Sequence, residues 1–243
     1  MKIAVAQLRP TVGPVEQNID LHLSLVDLGV HQGANLIIFP ELSLTGYEPS
    51  LAAELARSVH DSCLTEFQNV CDKNNLAVGV GLPLRTNTLP HISTLIFRPN
   101  SSPHVYSKRH LHEDEKPFFS HGNEVDSTIH EAPKISLAIC YELSIPEHAE
   151  MAFTGGATAY IASVAKTERG VKQASDRLSE LANQHSALVM MSNCVGILDG
   201  TKCTGSSTIW GRNGAMLAHL DSSSNGVIVV DFDTEDTVTD MLA

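Results

Sequence analysis

Three residues of different chemistry stand at the ends of short apolar runs. Glu41 follows Leu36-Ile37-Ile38-Phe39-Pro40, Lys108 follows His104 to Ser107, and Cys140 follows Ile135 to Ile139. A cysteine that attacks a carbonyl or nitrile carbon needs a base to take its proton, and a carboxylate can serve. The attack develops negative charge on oxygen or nitrogen, which a fixed ammonium and a backbone N–H can stabilise. Carboxylate, ammonium and thiol therefore cover base, clamp and nucleophile. Cys140 on its own fits two descriptions, an activated thiol or a buried structural one. Ser144 and Glu147 have capping-box spacing with Pro146 between them, so a helix is expected to start there. A thiol just ahead of a helix N-terminus is favoured as thiolate.

The elements that must position these residues alternate between strand and helix. Strands are expected at residues 2–7, 35–40, 76–82, 135–139, 159–164 and 188–194. Residues 91–98 and 104–107 read as an antiparallel pair about Pro99-Asn100-Ser101. Asn18 is the expected cap of a helix ending near Gly33, and helical stretches cover 51–74, with a candidate break near Asp61-Ser62, and 170–185, the latter with Leu178 and Leu181 inward. Pro83 is expected to end its strand. Gly79 and Gly81 permit close packing there. Residues 108–123 and 196–205 read as polar loops, and Ser207–Trp210, Ala215–His219 and Val227–Phe232 as closing strands. Hairpins mixed with βα units predict an α/β fold with a mixed sheet, or two stacked sheets covered by helices.

Composition narrows the classes. The chain has 243 residues, 42% hydrophobic and 18% charged, with no linker-like stretch, so one domain over residues 1–243 is expected. The formal net charge of −12 argues against nucleic acid or an anionic membrane as partner. No apolar run approaches a membrane span, and Met1 to Gln7 does not read as a signal peptide. Five irregularly spaced cysteines suggest reduced thiols and a cytoplasmic location.

Three blocks stand in order along the chain: Phe39-Pro40-Glu41-Leu42-Ser43-Leu44-Thr45-Gly46-Tyr47, then Tyr106-Ser107-Lys108-Arg109-His110-Leu111, then Leu137-Ala138-Ile139-Cys140-Tyr141-Glu142 with Pro146-Glu147. They are similar, in turn, to the glutamate, lysine and cysteine blocks of the nitrilase superfamily of carbon–nitrogen hydrolases, which the sequence resembles. The resemblance implies a four-layer α-β-β-α sandwich with two mixed sheets, in a homodimer or higher homo-oligomer. It implies Glu41 as general base, Lys108 as oxyanion stabiliser together with the Tyr141 N–H, and Cys140 as thioester-forming nucleophile. A second family glutamate positions the lysine; the Glu-Lys-x-x-Phe-x-x-Gly register assigns it to Glu115, with Glu113 as runner-up. Neither metal nor organic cofactor is implied. The implied reaction is hydrolysis of a small linear amide or N-carbamoyl compound, with acyl transfer, nitrile hydrolysis or an inactive scaffold as alternatives.

One segment departs from the family. Members often carry Pro-x-x-Trp after the next strand, where this chain has Ser163-Val164-Ala165-Lys166-Thr167-Glu168-Arg169. That stretch usually lines the substrate pocket, so Lys166 joins Tyr47 and Tyr141 as an expected substrate contact. Its charge hints at a polar or carboxylate-bearing substrate, while at least two of Lys166, Glu168 and Arg169 are expected in solvent. Tyr141-Glu142, where true nitrilases often have Trp-Glu, favours amide over nitrile. His110, His112 and His121 lack further ligands at metal-site spacing. Cys194 and Cys203 read best as separate buried thiols. An oxidation-sensing role for Cys140 lacks a resolving cysteine nearby in sequence.

Overall fold

The computed structural model describes residues 1–123 and 125–242. Two mixed sheets stack face to face, each covered outside by helices. The seven-stranded sheet contains β1 (Lys2–Gln7), β2 (Leu36–Ile38), β3 (Ala77–Leu84), β4 (His91–Arg98), β5 (Ser101–Ser107), β14 (Gly226–Asp231) and β15 (Thr237–Met241), in the order β15-β14-β1-β2-β3-β4-β5. The six-stranded sheet contains β6 (Thr128–Glu131), β7 (Lys134–Ile139), β8 (Ala159–Val164), β9 (Leu188–Asn193), β12 (Thr208–Trp210) and β13 (Met216–His219), in the order β13-β12-β9-β8-β7-β6. A separate hairpin, β10 (Val195–Leu198) with β11 (Thr201–Thr204), belongs to neither. Helices α1 (Val15–His31), α2 (Ala52–Leu55) and α3 (Thr65–Asn74) accompany the first sheet in sequence, and α4 (Pro146–Thr154) and α5 (Glu168–His185) the second. At the centre of each sheet the strands run parallel, β1-β2-β3 and β7-β8-β9, because helical crossovers join them.

The alternation of side chains along each strand builds three apolar layers. On β1, Ile3 and Val5 face the other sheet, where they join Leu36, Ile38, Ile135, Leu137 and Ile161. Ala4 and Ala6 face outward with Ile37 and Phe39, against Val15, Ile19 and Phe67 of the helices. On β8, Ile161 faces inward, while Tyr160, Ala162 and Val164 pack with Leu178 and Leu181 of α5. Both faces of the central strands are buried, which is why they read as continuous apolar runs. The four-layer sandwich matches the expectation.

Several local expectations are corrected. Asn18 does not cap α1, which starts at Val15. It lies buried within the helix, its Nδ2 donating to Thr11 O (2.7 Å) and Leu44 O (2.9 Å). Ser144 does not cap α4. A 3-10 turn over Cys140–Ser144 comes first, and Ile145 occupies the cap position without a side-chain bond. Pro83 does not end β3. It pairs with Ile92, and its carbonyl turns away from that ladder to accept the Arg57 N–H at 3.0 Å. β2 pairs β3 only as far as Gly79, so no ladder donor is needed on that edge. Residues 196–205 contain the β10–β11 hairpin rather than a loop. β6 and β15 were not expected; both are short outermost strands, β15 largely exposed and β6 with Thr128 and Ile129 buried and only Glu131 exposed.

Candidate active site

Each of the three chemically distinct residues sits just past a strand, as its sequence suggested. Glu41 lies three residues beyond β2, in a turn that Ser43 N closes on Pro40 O at 3.2 Å. Leu42 there adopts a left-handed φ of 50°. The turn presses on β3 at Gly81: a Cβ at that position would lie 2.5 Å from both Pro40 O and Leu42 N. Only glycine admits that approach. Ser43 Oγ accepts the Gly81 N–H at 3.2 Å and meets His22 Nε2 at 2.9 Å. His22 Nδ1 donates to Asn18 O at 2.6 Å, and the buried ring bridges α1 to the Glu41 turn. Burial lowers its pKa from 6.5 to about 4, against the raising effect of that bond.

Lys108 follows β5 and is wholly buried. Its backbone is held by Ile92 O on one side (2.8 Å), and its own carbonyl takes Gly122 N (2.8 Å). Its ammonium donates to Glu41 Oε1 at 2.7 Å and to Glu115 Oε1 at 2.6 Å. Glu115 also accepts the Tyr47 hydroxyl at 3.0 Å and the His112 N–H at 2.8 Å. Glu113 stands apart at the surface, paired with Lys116. Burial by itself lowers the lysine's pKa, but the charges of Glu41 and Glu115 outweigh it and keep the ammonium charged. Burial raises the Glu41 carboxyl pKa, Lys108 opposes that and Glu115 adds to it. Its Oε2 is buried and takes no ordinary hydrogen bond among the described residues, while the Cys140 side chain interacts with the same carboxylate.

Cys140 directly follows β7, has a left-handed φ of 45° and is partly exposed. A non-glycine residue at positive φ is a local strain of the kind that clusters at functional sites. Burial pushes the thiol up to about 11, Glu41 adds to this, and Lys166 and Lys108 oppose it. The resting group is a thiol, so its proton must leave as the sulfur attacks.

Glu142, whose role the sequence did not disclose, ties the two strand ends together. Its Oε1 accepts Arg109 N (2.7 Å) and its Oε2 accepts Ile139 N (2.8 Å) and the Tyr106 hydroxyl (2.8 Å). His148 continues the network from Tyr106 to Tyr160. Glu142 was visible only as part of the cysteine block. His22 and Asn193 had no signal beyond their identity.

A cavity of about 400 Å³ opens over Cys140, with Tyr47, Glu115, Tyr141 and Lys166 in its wall. All three expected substrate contacts thus line one space, and Glu168 and Arg169 are exposed. Among the described residues no group of three or more His, Cys, Asp or Glu is arranged to hold a metal ion, and no helix is long and apolar enough to cross a membrane.

The sequence profile of carbon-nitrogen hydrolases matches residues 2–239. The chain belongs to the carbon-nitrogen hydrolase family. This family member is 26% identical over 241 residues to a glutamine-dependent NAD(+) synthetase of Acinetobacter baylyi, covering 96% of the chain but only 44% of that protein. It is 25% identical over 243 residues to a probable nitrilase of Schizosaccharomyces pombe, covering 96% of the chain and 89% of the relative. It spans less than half the length of the synthetases it matches. An amidase from Nesterenkonia sp. AN1 superposes with a TM-score of 0.85 at 24% identity, over 97% of this chain and 94% of that one. At that identity the likeness speaks for the fold.

Proposed function

We propose that this carbon-nitrogen hydrolase cleaves small linear amides or N-carbamoyl compounds through a thioester on Cys140. The observation that carries the reading is the buried chain Glu41–Lys108–Glu115, aligned beside a partly exposed thiol. Glu41 takes the Cys140 proton as the sulfur attacks the carbonyl carbon. The Lys108 ammonium and the Tyr141 N–H hold the resulting oxyanion. Collapse breaks the C–N bond, and Glu41 returns its proton to the leaving amine or ammonia. Water then gives a proton to Glu41 and attacks the thioester carbonyl. The acid leaves, and the proton goes back to the Cys140 sulfur. Glu115 keeps the ammonium aimed. The Nesterenkonia amidase lends the reading support by analogy for a nucleophilic thiol: in a mutant of that protein the active-site cysteine has taken up acrylamide by Michael addition.

The test is ammonia release from a panel of short amides and N-carbamoyl compounds, comparing the protein with Cys140→Ala. The variant is expected to release none above background. Equal release from both ends the proposal. Adding hydroxylamine, and looking for the hydroxamate, reports acyl transfer from the same thioester.

A further inference from the structure

We propose that the acyl chain of the substrate ends in a carboxylate, and that Lys166 is the residue that selects it. The inference rests on the amide-hydrolase reading and names its substrate class.

The charges in the cavity wall are mostly paired already. Glu115 is taken by Lys108, and Asp114 meets His112 Nδ1 at 2.6 Å. Lys166 is different. Among the described residues its ammonium makes no ion pair and no hydrogen bond, although the side chain is partly buried in the wall that contains Cys140. Asp199, the remaining carboxylate of the lining, is exposed and lies beyond ion-pair distance of it. The lysine's charge is felt at the sulfur, where it opposes the upward shift of the thiol. Its side chain forms part of the same cavity wall as Cys140 and Tyr141.

The backbone beneath this lysine is fixed more firmly than a solvated side chain requires. Asn193, fully buried on β9, accepts the Lys166 N–H at 2.8 Å and donates back to Lys166 O at 3.3 Å. The same amide donates to Gly205 O at 2.7 Å, and Thr204 N donates to Lys166 O at 3.2 Å. The segment after β8 is thereby clamped against β9 and the end of the β10–β11 hairpin. A fixed stem reduces the freedom a lysine loses on gripping a ligand.

A second feature favours the same charge. The 18-residue helix α5 begins at Glu168, and Lys166 and Thr167, just before it, both line the cavity. Thr167 Oγ1 caps Gly170 N at 3.3 Å. The positive end of the helix thus reaches the wall beside the free ammonium, which suits an anion. Gln173, in the second turn, adds an amide to the same wall. With Cys140 elsewhere in one cavity of about 400 Å³, the arrangement suits a short chain with an amide at one end and a carboxylate at the other.

The test compares kcat/KM for the monoamides of succinic and glutaric acid with butyramide and valeramide, which match them in chain length. The protein is expected to prefer the carboxylated member of each pair by about 10- to 100-fold, the range of a hydrogen bond to a charged group. Lys166→Met is expected to bring that ratio close to one, chiefly through KM, and Lys166→Arg to keep most of it. No preference in the parent protein overturns the proposal. So does a ratio that survives Lys166→Met while both rates fall together, because the lysine then serves only the sulfur. If no amide is turned over, the hydrolase reading fails separately. Calorimetry of glutaramate with Cys140→Ala, with and without Lys166→Met, still decides the carboxylate site. Tighter binding with Lys166 present supports it, and equal or absent binding in both overturns it.

Discussion

The carboxylate of Glu142 accepts the backbone N–H of Arg109 at 2.7 Å. Arg109 follows the expected oxyanion stabiliser, and the same carboxylate holds Ile139, which precedes the expected nucleophile. One buried side chain thus fixes the distance between Arg109 and Ile139, 30 positions apart in the chain. Glu142→Gln replaces one acceptor oxygen by an N–H donor that faces another donor. Stability is expected to fall by about 2–3 kcal/mol, as for loss of hydrogen bonds to a charged group. Turnover is expected to fall about tenfold or more, since small misplacements are amplified in rate. Urea melts alongside rates on the best amide check both.

Lys108→Met leaves Glu41 and Glu115 buried with no counter-ion. A loss of about 3–5 kcal/mol is expected, together with loss of activity. Adding Glu41→Gln to this variant should restore part of the stability and none of the turnover. Denaturant midpoints of the single and double variants measure it. A single variant as stable as the parent contradicts the buried ion-pair account.

Cys140 is expected to alkylate slowly with iodoacetamide at neutral pH and faster as the pH rises towards its value of about 11. After burial, the charge of Glu41 is the next largest cause of that high value. Glu41→Gln should therefore lower the midpoint of the pH profile, even as it removes the base from the proposed reaction. A midpoint that stays or rises shows that the carboxylate does not act on the sulfur.

Gly81→Ala places a methyl against Pro40 O and Leu42 N, which are backbone atoms and cannot rotate aside. The Glu41 turn must shift. Because a displacement of about 1 Å can cost about 10²-fold in rate, activity is expected to fall further than stability. Rates and thermal melts on the same preparation separate the two.

His22 makes stability depend on pH. Its folded pKa of about 4 lies below the unfolded value of 6.5, so between them the unfolded chain binds the proton and the native state does not. The contribution is fully present above pH 6.5 and is lost as the pH falls through about 4. It amounts to about 3 kcal/mol. His22→Gln should flatten the urea-melt stability profile across that window. An unchanged slope excludes His22 as its source.

The strand ends carrying Glu41, Lys108 and Cys140 were legible because apolar runs and abrupt polarity mark them. What bound those ends together was not legible. Glu142 and His22 act through backbone groups distant in sequence, and no local pattern announces such partners. Asn18 has the composition of a helix cap, but its amide serves Thr11 and Leu44 from inside α1. The β10–β11 hairpin read as a loop because Ile197, Asp199, Gly200, Thr201 and Lys202 are exposed, leaving too short an alternation to register. β15 is a largely exposed edge strand, where burial imprints little on the sequence.

Glu41 and Lys108 hang from the seven-stranded sheet, Cys140 and Lys166 from the six-stranded one. The apolar layer between the sheets is therefore a spacer that sets the gap across which the proposed reacting groups face each other. Ser163 Oγ on Phe39 O (2.8 Å) and Ser192 Oγ on Ala6 O (2.6 Å) pin the two plates near that rim. Thickness becomes a tolerance. A methylene gained or lost at Ile38, Ile139 or Ile161 is expected to shift one plate against the other, and to register in the rate of the proposed reaction before the fold gives way.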